Sequence, residues 1–232
     1  MLLLSAVSFG LTPWPAFSAD EEVELLLYRV QSANEEPAFN RLLVSPDFLR
    51  LDGGGEDRGY ILFDRREQII YSVNHDDQSI LVIDPPALPA DFDAKAPAIA
   101  LQQVTPAEAP EVGGIKPQRW RLLVADASCR EAFVLPGMMP RAVAAYGAYL
   151  RVLSRQQAQA LSAIPAEYQD PCDNALHIFA ADALLKKGLP LDIWGGGDYR
   201  ESLIDFREAF TVPESAFSLP SSYSRVPMRS GF

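Results

Sequence analysis

The residue types that most often perform catalysis are few in this chain. His75 is predicted to lie in a turn beside Asp76 and Asp77, and His177 on a helix near Asp173. A general base or a metal ligand at either histidine needs partner side chains that converge from elsewhere in the fold. The sequence shows no such set. Both histidines are therefore interpreted as surface residues, and we expect no catalytic residue, no metal ion and no cofactor.

Three further patterns fall short of a complete chemical motif. Ser128 precedes Cys129 without the flanking glycines of a hydrolase nucleophile. Gly53–Gly55 is followed by neither a helix start nor a Lys-Ser/Thr pair, which favours a hairpin loop over a phosphate-binding loop. Paired carboxylates for glycoside hydrolysis are defined by their spatial separation, which a sequence does not contain. We therefore expect a non-enzymatic protein, with a hydrolase as the less favoured hypothesis.

The chain has two cysteines, Cys129 and Cys172. An even number of cysteines in an exported chain favours a disulfide, because oxidising compartments pair thiols. A bridge that closes so long a loop stabilises a fold by roughly 4 kcal/mol in the chain-entropy model. A reactive thiol or a metal site is the alternative, and it is disfavoured because no histidine lies at ligand spacing.

The N-terminal residues have the pattern of a secretory signal. An apolar run covers Leu2–Leu11 and is followed by Pro13 and Pro15, although the basic residues that usually open a signal peptide are missing. A buried N-terminal helix is the alternative, and the two prolines disfavour it. The run is also well short of the roughly 20 residues that span a membrane. We expect residues 1–19 to be a signal peptide and residues 20–232 to form one domain in the periplasm.

Charge and composition narrow the range of partners. The formal net charge is −11, and 48% of the residues are hydrophobic. A strongly acidic surface repels phosphate backbones, so we expect no nucleic-acid partner. The hydrophobic share suffices for one core in a chain of this length. No segment is long and apolar enough to predict a transmembrane span.

Short apolar segments separated by turn residues predict an antiparallel sheet. Within the clearest stretch, from Asn40 to Asp84, the proline of Ser45–Asp47 cannot donate to a strand ladder, so a turn or bulge is expected there. Residues 85–117 contain seven prolines and predict a long Pro/Ala-rich loop that holds one strand. The predicted strands are Val23–Ser32, Phe39–Asp52, Tyr60–Asp64, Gln68–Asn74, Ser79–Asp84, Ile99–Val104, Arg119–Ala125, Arg130–Leu135, Leu189–Trp194 and Tyr199–Thr211.

Two connections outside that stretch are also predicted. The hairpin that precedes the helices is expected to turn at Asp126–Ser128, between two of the strands named above. The proline-punctuated segment 212–227, which follows the last strand, is expected to be extended.

Beyond Pro140 the spacing of apolar residues changes to three and four, which predicts helices. The first helix ends before Pro165, and the second covers residues 171–187 with Asp170 as its N-cap. Cys172 lies on the apolar side of the second helix, so a disulfide would fasten the helices to the sheet. The apolar stripes are Met139, Val143, Tyr146, Leu150 and Leu153 in the first helix, and Cys172, Leu176, Phe179, Ala180 and Ala183 in the second.

Most large aromatic side chains fall on the predicted strands or on the first helix. Packing in a solid core is one interpretation. The other is that they line an apolar cavity between the sheet and the helices, the kind of place where lipid-like ligands bind. The candidate lining residues are Tyr28, Phe48, Phe63, Tyr71, Trp120, Tyr146, Leu150, Trp194 and Phe206.

Several segments resemble the bacterial lipoprotein-carrier superfamily, the LolA/LolB-like proteins. That group's broken strand and following hairpin are matched by RLLVSPDFLRLD and YILFDRREQIIYSVNHDDQSILVID, and its VP…F…LP…Y ending by VPESAFSLPSSY. A hairpin of an uncharacterised exported relative is similar to VGGIKPQRWRLLVADASCREAFVL. The two cysteines and the long Pro/Ala-rich loop depart from the carrier pattern. The resemblance implies an α+β fold in which an antiparallel open β-barrel, or half-barrel, wraps around a helix pair.

The resemblance also implies hydrophobic ligand binding, although it transfers no ligand-contacting residue. We therefore expect a periplasmic, non-enzymatic protein that binds or carries a lipid, an acyl group or another hydrophobic ligand. The alternative is an envelope structural or interaction protein whose core is filled by its own side chains and which binds an envelope protein partner.

Overall fold

The predicted signal peptide, residues 1–19, lies outside the part of the chain that the structure describes. The same holds for the last four residues. The computed structural model describes residues 20–55, 59–88, 90, 92, 96–105, 108–161 and 164–228.

The described residues contain twelve strands that form a single open sheet. The strands are β1 (Asp20–Gln31), β2 (Ala38–Val44), β3 (Phe48–Asp52), β4 (Gly59–Asp64), β5 (Ile69–Asn74), β6 (Ser79–Ile83), β7 (Ile99–Val104), β8 (Gln118–Val124), β9 (Ala127–Leu135), β10 (Leu189–Trp194), β11 (Arg200–Pro213) and β12 (Ser224–Pro227). Their order across the sheet is β12-β6-β5-β4-β3-β2-β1-β11-β10-β9-β8-β7. Neighbours pair antiparallel, except that β12 runs parallel to β6. The predicted α+β class with an open antiparallel sheet is thus confirmed.

The turn expected inside the predicted strand Phe39–Asp52 is a tight hairpin. Ser45 N donates to Phe48 O at 2.9 Å, and Phe48 N donates to Ser45 Oγ at 3.1 Å. Pro46 sits at the tip, where its missing N–H costs no ladder hydrogen bond. The predicted strand is therefore two strands, β2 and β3, whereas β7 and β10 have the predicted bounds.

Helix α1 (Pro140–Leu161) packs across one face of the sheet, called the helical face below. The apolar residues of this face and of α1 form the largest buried cluster, and the rings of Phe63 and Tyr149 meet edge to face at 6.0 Å. Fully burying one such large apolar side chain contributes roughly 1.5–3 kcal/mol. The buried members of the cluster are Leu26, Tyr28, Leu42, Val44, Leu49, Phe63, Ile70, Ile83, Leu135, Met139, Ala142, Ala145, Tyr149, Val152 and Leu189.

The N-terminus of α1 is held by a carboxylate from β1 rather than by a local cap. Glu24 Oε2 accepts a hydrogen bond from the backbone N–H of Ala142 at 2.7 Å, and Arg141 Nε lies 3.7 Å from Glu24 Oε1. The first N–H groups of a helix lack partners within the helix, and the helix dipole favours a negative charge beside them. Because Glu24 is only 6% exposed, this contact fixes α1 to β1 inside the core.

The second helix is much shorter than predicted. α2 spans Pro171–Asn174, and Asp170 Oδ1 accepts from Asp173 N at 2.9 Å, as expected of an N-cap. The chain then widens into a π-helical turn over Ala175–Phe179 and ends in a 3-10 turn at Leu185–Lys187. The prediction of one regular helix over residues 171–187 was wrong beyond the first turn.

The break in this segment follows from its two packing partners. Ile178 packs against the C-terminal end of α1, at Ala158 and Leu161, whereas Leu184 packs on β9 at Val134. Local helix propensity is a weak preference that such tertiary contacts override.

The predicted disulfide between Cys129 and Cys172 is present, with the two Cα atoms 5.4 Å apart. It joins β9 to α2, and Cys129 is buried with Ala175 and Leu122. The bridge therefore holds the irregular helical segment on the sheet, as the sequence predicted.

The hairpin before the helices turns earlier than predicted. Ala125 and Asp126 both have positive φ angles, 45° and 70°, and β9 already begins at Ala127. A two-residue turn with positive φ at both residues matches the twist of the flanking strands. The turn is therefore Ala125–Asp126, and the predicted turn at 126–128 was placed too late in the chain. Cys129 is then an extra residue in β9, a β-bulge, because Leu122 and Leu123 pair with the residues on either side of it.

The other face of the sheet, called the opposite face below, is covered by the C-terminal segment. Phe217 is buried there, and Tyr60 Oη donates to Ser218 O at 2.7 Å. The segment 212–227, predicted to be only extended, contains a 3-10 turn at Glu214–Phe217 and the strand β12. Long-range pairing with β6 creates that strand, so local sequence does not predict it. Among the described residues, no helix is long and apolar enough to cross a membrane.

Replacing Glu24 should weaken the anchoring of α1. We expect Glu24→Ala to lower the free energy of unfolding by about 2 kcal/mol, because it leaves a buried backbone N–H without an acceptor. Glu24→Gln keeps an acceptor and should lose less. Urea denaturation followed by circular dichroism measures both. Glu22→Ala, at an exposed position of the same strand, is the control and should change stability by less than about 0.5 kcal/mol.

Reducing the disulfide should lower the free energy of unfolding by roughly 2–4 kcal/mol, since the unfolded chain regains the freedom of a long loop. Urea midpoints with and without dithiothreitol measure the change. The double variant Cys129→Ser, Cys172→Ser should show the lower midpoint under both conditions. Equal midpoints for the oxidised and reduced wild-type protein would contradict this prediction.

Candidate functional site

A cavity lies between the helical face of the sheet and the segments that cover it, at strands β8 to β11. Its volume is about 170 Å³, and it is more enclosed than the surface clefts. The wall is mostly apolar, with a small set of polar side chains, which is the usual composition of a small-molecule site. The described lining residues are Leu122, Arg130, Tyr146, Leu150, Leu176, His177, Ala180, Ala181, Leu184, Leu185, Pro190, Ile193, Tyr199 and Glu201.

Three polar side chains of the wall contact one another in sequence. The Arg130 guanidinium carbon lies 4.6 Å from the centre of the Tyr199 ring, and Tyr199 Oη donates to Glu201 Oε2 at 2.9 Å. Within the described part of the chain, Arg130 makes no hydrogen bond or ion pair, and its Nε is shielded from solvent. The cation–π contact with Tyr199 contributes about 0.5–2 kcal/mol, and the charge of Arg130 also acts on the Glu201 carboxyl.

Strand pairing brings these residues together. Ala132 on β9, Ile193 on β10 and Glu201 on β11 are direct cross-strand neighbours. Side chains two residues apart on a strand point to the same face. Arg130 precedes Ala132 by two residues, and Tyr199 precedes Glu201 by two residues. Because β9 and β11 both pair antiparallel with β10, Arg130 and Tyr199 lie on the same side of this cross-strand row.

Gly195 lies at a position where a side chain would collide with the backbone of β9. It follows the last residue of β10, and its N–H donates to Tyr199 O at 3.3 Å. An added Cβ would lie 2.7 Å from Cys129 O and 3.1 Å from Arg130 Cα, and the φ of +129° also disfavours other residues. A glycine at this position lets β9 approach closely enough for Arg130 to stack on Tyr199.

Burial controls the protonation of this cluster. Desolvation raises the pKa of the Glu201 carboxyl, although the hydrogen bond from Tyr199 and the charge of Arg130 oppose the rise. The pKa of the Tyr146 hydroxyl is raised well above its ordinary value, first by burial and then by the charge of Glu201. A raised carboxyl pKa means that the neutral form is favoured in a dry, apolar wall.

An open groove of about 590 Å³ lies on the other side of Tyr146 and Leu150, between α1 and strands β2 to β5. Tyr146 and Leu150 line both the groove and the cavity. These two side chains, called the partition below, belong to the walls of both spaces. The described groove residues are Phe39, Asn40, Leu51, Asp52, Gly53, Gly59, Tyr60, Ile61, Ser72, Val73, Tyr146, Tyr149, Leu150 and Leu153.

Of the nine candidate lining residues, only Tyr146 and Leu150 line the cavity. The others on the helical face pack beneath the helices instead; they are Tyr28, Phe63, Trp120 and Phe206.

Three of the nine candidates face away from the cavity. Phe48 and Tyr71 pack in the apolar cluster of the opposite face, and Phe48 stacks on Phe217 at 6.1 Å. Trp194 contacts Phe133 at 5.4 Å and lines a surface cleft. Aromatic type alone does not tell which face of a strand a residue occupies, so these three expectations are corrected.

The polar residues of the cavity were missed by the sequence analysis, although a signal existed. Side chains alternate along a strand, so Arg130 points to the same face as Ala132 and Val134, which are buried. Glu201 points to the same face as Leu203 for the same reason. A charged residue at an inward-facing position of a strand is unusual and marks a candidate site.

The two histidines do not share a pocket. His75 lies in the turn between β5 and β6, where its Nδ1 is 2.9 Å from Tyr223 Oη of the C-terminal segment. His177 is exposed at the edge of the cavity, on the helical face. No group of three or more His, Cys, Asp or Glu side chains that could hold a metal ion occurs among the described residues.

Comparison with known proteins gives no family for the chain. No protein-family model matches it, and no curated protein matches it. Among solved structures it is similar to PNGF-II in two crystal forms, in space groups P21 and C2, with TM-scores of 0.43 and 0.41 and 7% sequence identity. The matches cover 90% of this chain and 32% and 31% of the PNGF-II chains, so the chain spans about a third of their length.

The raised pKa of Glu201 predicts a dependence of stability on pH. A carboxyl whose pKa is higher in the folded state favours folding most below its ordinary value of 4.5, and this contribution is lost as the pH rises through the folded-state pKa. Glu201→Gln should therefore gain stability relative to wild type as the pH increases above 4.5. Urea midpoints between pH 4 and pH 8 measure the difference.

Glu131 provides a control of opposite sign. Despite burial, hydrogen bonds from Arg119 and Arg121 lower the pKa of its carboxyl. Glu131→Gln should therefore lose stability relative to wild type at pH values above the ordinary pKa. A Glu201→Gln curve that runs parallel to the wild-type curve would show that folding does not shift the pKa of Glu201 and would contradict this prediction.

Proposed function

We propose that this protein is exported to the periplasm and binds a hydrophobic ligand there without catalysing a reaction. The observation that carries the proposal is the pair of spaces beside α1, an apolar cavity and an open groove that share Tyr146 and Leu150 in their walls. A carrier-like half-barrel would hold its ligand on this face of the sheet.

The size of the two spaces limits the ligand. The cavity alone, at about 170 Å³, is below the roughly 300–1,000 Å³ of small-molecule sites, whereas the groove falls within that range. Because Tyr146 and Leu150 line both spaces, we propose that movement of these side chains joins them. The proposed ligand is therefore a single-chain amphiphile that occupies both, and a bulky lipid would need a larger movement of α1.

The chemistry of the wall favours binding over catalysis. The described lining residues of the cavity include no serine, threonine, cysteine or lysine that could act as a nucleophile. His177 and Glu201 both line the cavity, but no hydrogen bond joins them among the described residues. The apolar part of the wall is suited to holding an alkyl chain.

The disulfide supports the proposed location. Structural disulfides persist in oxidising compartments such as the periplasm and are rare in reducing ones. Cys129 is 2% exposed, so this end of the bridge is part of the packed interior.

A second candidate function is an envelope structural or interaction protein. It is favoured by the dense packing of α1 on the sheet, which buries Met139, Tyr149 and Val152 and leaves only a small enclosed cavity. In that case the cavity would be a packing defect, and filling it would stabilise the protein without affecting any binding.

Filling the cavity tests the two candidates. Ala180 lines the cavity, so Ala180→Leu should occupy part of it and weaken the uptake of a fluorescent single-chain acyl probe by about 10-fold, the equivalent of 1.4 kcal/mol. Fluorescence titration of the delipidated protein measures the affinity. Ala160→Leu, at an exposed position of α1, is the matched control and should bind like wild type.

Native mass spectrometry of the protein purified from its own compartment provides an independent measurement. We expect a co-purified apolar ligand, reduced in the Ala180→Leu variant. Absence of such a ligand, together with no uptake of the acyl probe by the wild-type protein, would reject the binding function and favour the structural one.

A further inference from the structure

Arg130 is a partly exposed cation in the wall of a largely apolar cavity, and Glu201, the acidic residue of that wall, does not bind it directly. In the described portion of the chain its guanidinium forms no ion pair and no hydrogen bond, and Nε is shielded from water. A buried donor without an acceptor costs about 1–3 kcal/mol, more when the group is charged. An arrangement of this kind is retained at a cost to stability, which points to an acceptor supplied by a ligand.

The nearest carboxyl of the protein does not serve as that acceptor. Glu201 binds the hydroxyl of Tyr199, and Tyr199 places its ring, rather than its oxygen, against the guanidinium. The other arginines that line the sheet behave differently: Arg119 and Arg121 bind Glu131 directly at 2.6–2.9 Å. Arg130 is thus kept apart from the acid beside it.

We propose that the cavity binds the carboxylate of an unbranched aliphatic monocarboxylic acid on the Arg130 guanidinium, with the alkyl chain passing Tyr146 and Leu150 into the groove. The proposal rests on the proposed function and specifies its ligand. A planar guanidinium donates two parallel N–H groups to the two oxygens of a carboxylate.

The charge balance of the cavity favours a monoanion. Arg130 brings one positive charge, and Glu201 is the acidic residue among the described lining residues. A phosphate monoester carries about two negative charges at neutral pH and would be repelled by any ionised fraction of Glu201. A carboxylate neutralises Arg130 without an excess of negative charge.

The shape of the site favours an unbranched chain. The apolar wall of the cavity includes Leu150, Tyr146 and Ile193, and the first two also line the groove. The cavity volume of about 170 Å³ accommodates a head group and a few methylene groups, since one water occupies about 30 Å³ in the liquid. A branched or fused-ring tail would collide with the partition, whereas a linear chain can follow it into the groove.

Calorimetric titration of the delipidated full-length protein at pH 7 tests the proposal with three probes: dodecanoate, its methyl ester, and dodecyl phosphate. We expect dodecanoate to bind most tightly. Arg130→Gln should weaken dodecanoate binding by about 10- to 100-fold, the range of a charge-assisted hydrogen bond, and leave the affinity for the methyl ester unchanged. Arg130→Lys keeps the charge but loses the planar fork, so its affinity should be intermediate.

The control variant is Arg121→Gln, which removes an arginine of the neighbouring strand that binds Glu131 outside the cavity. It should bind all three probes like wild type. Unchanged methyl-ester binding by Arg130→Gln also shows that this variant is folded with an intact cavity.

Each remaining outcome rejects the proposal in a different way. Equal affinity for dodecanoate and the methyl ester, both insensitive to Arg130→Gln, would overturn the carboxylate assignment and leave hydrophobic binding in place. Tighter, Arg130-dependent binding of dodecyl phosphate would assign the cavity to a phosphate head group. No binding of any probe would reject the proposed function together with this inference.

Discussion

The packing of α1 on the sheet is the contact on which the rest of the structure depends. A sheet with an apolar face needs another layer to bury that face. Here one helix covers β1 to β6, and Glu24 fixes its start by accepting the Ala142 N–H. Since that carboxylate comes from β1, near the middle of the sheet, the position of the helix is set by the strand order rather than by a local cap. The groove and the partition at Tyr146 and Leu150 are consequences of this placement.

The remainder of the helical face is covered differently, and this difference creates the cavity. Over β8 to β11 the second layer is an irregular segment that is anchored by the Cys129–Cys172 disulfide and bends to reach two partners. An irregular layer fills space less completely than a regular helix of Leu and Ile side chains. The cavity lies at the junction of α1 with this segment, where protein ligand sites commonly occur.

The same junction explains the polar cluster. The bulge at Cys129 and the close approach of Gly195 to the β9 backbone lie beside Arg130, whose guanidinium stacks on Tyr199. The cluster is a cation and a buried, protonatable acid with an aromatic ring between them, in the wall of a mostly apolar cavity. Such an arrangement stabilises an anion brought in from outside better than it stabilises the empty protein, because low polarity strengthens a new ion pair and penalises an unpaired charge.

Local sequence determined much of this protein. Alternation of apolar residues located most strands, Ser45–Asp47 marked an interruption of the strand, and the three-to-four spacing after Pro140 located α1, because these signals depend on neighbouring residues alone. Tertiary structure decided the rest. The face that each aromatic occupies, the strand made by residues 224–227 and the meeting of Arg130 with Glu201 depend on pairing and packing between distant segments. Alternation shows that two side chains share a face, but only the assembled layers show which face is covered and what lies beneath the cover.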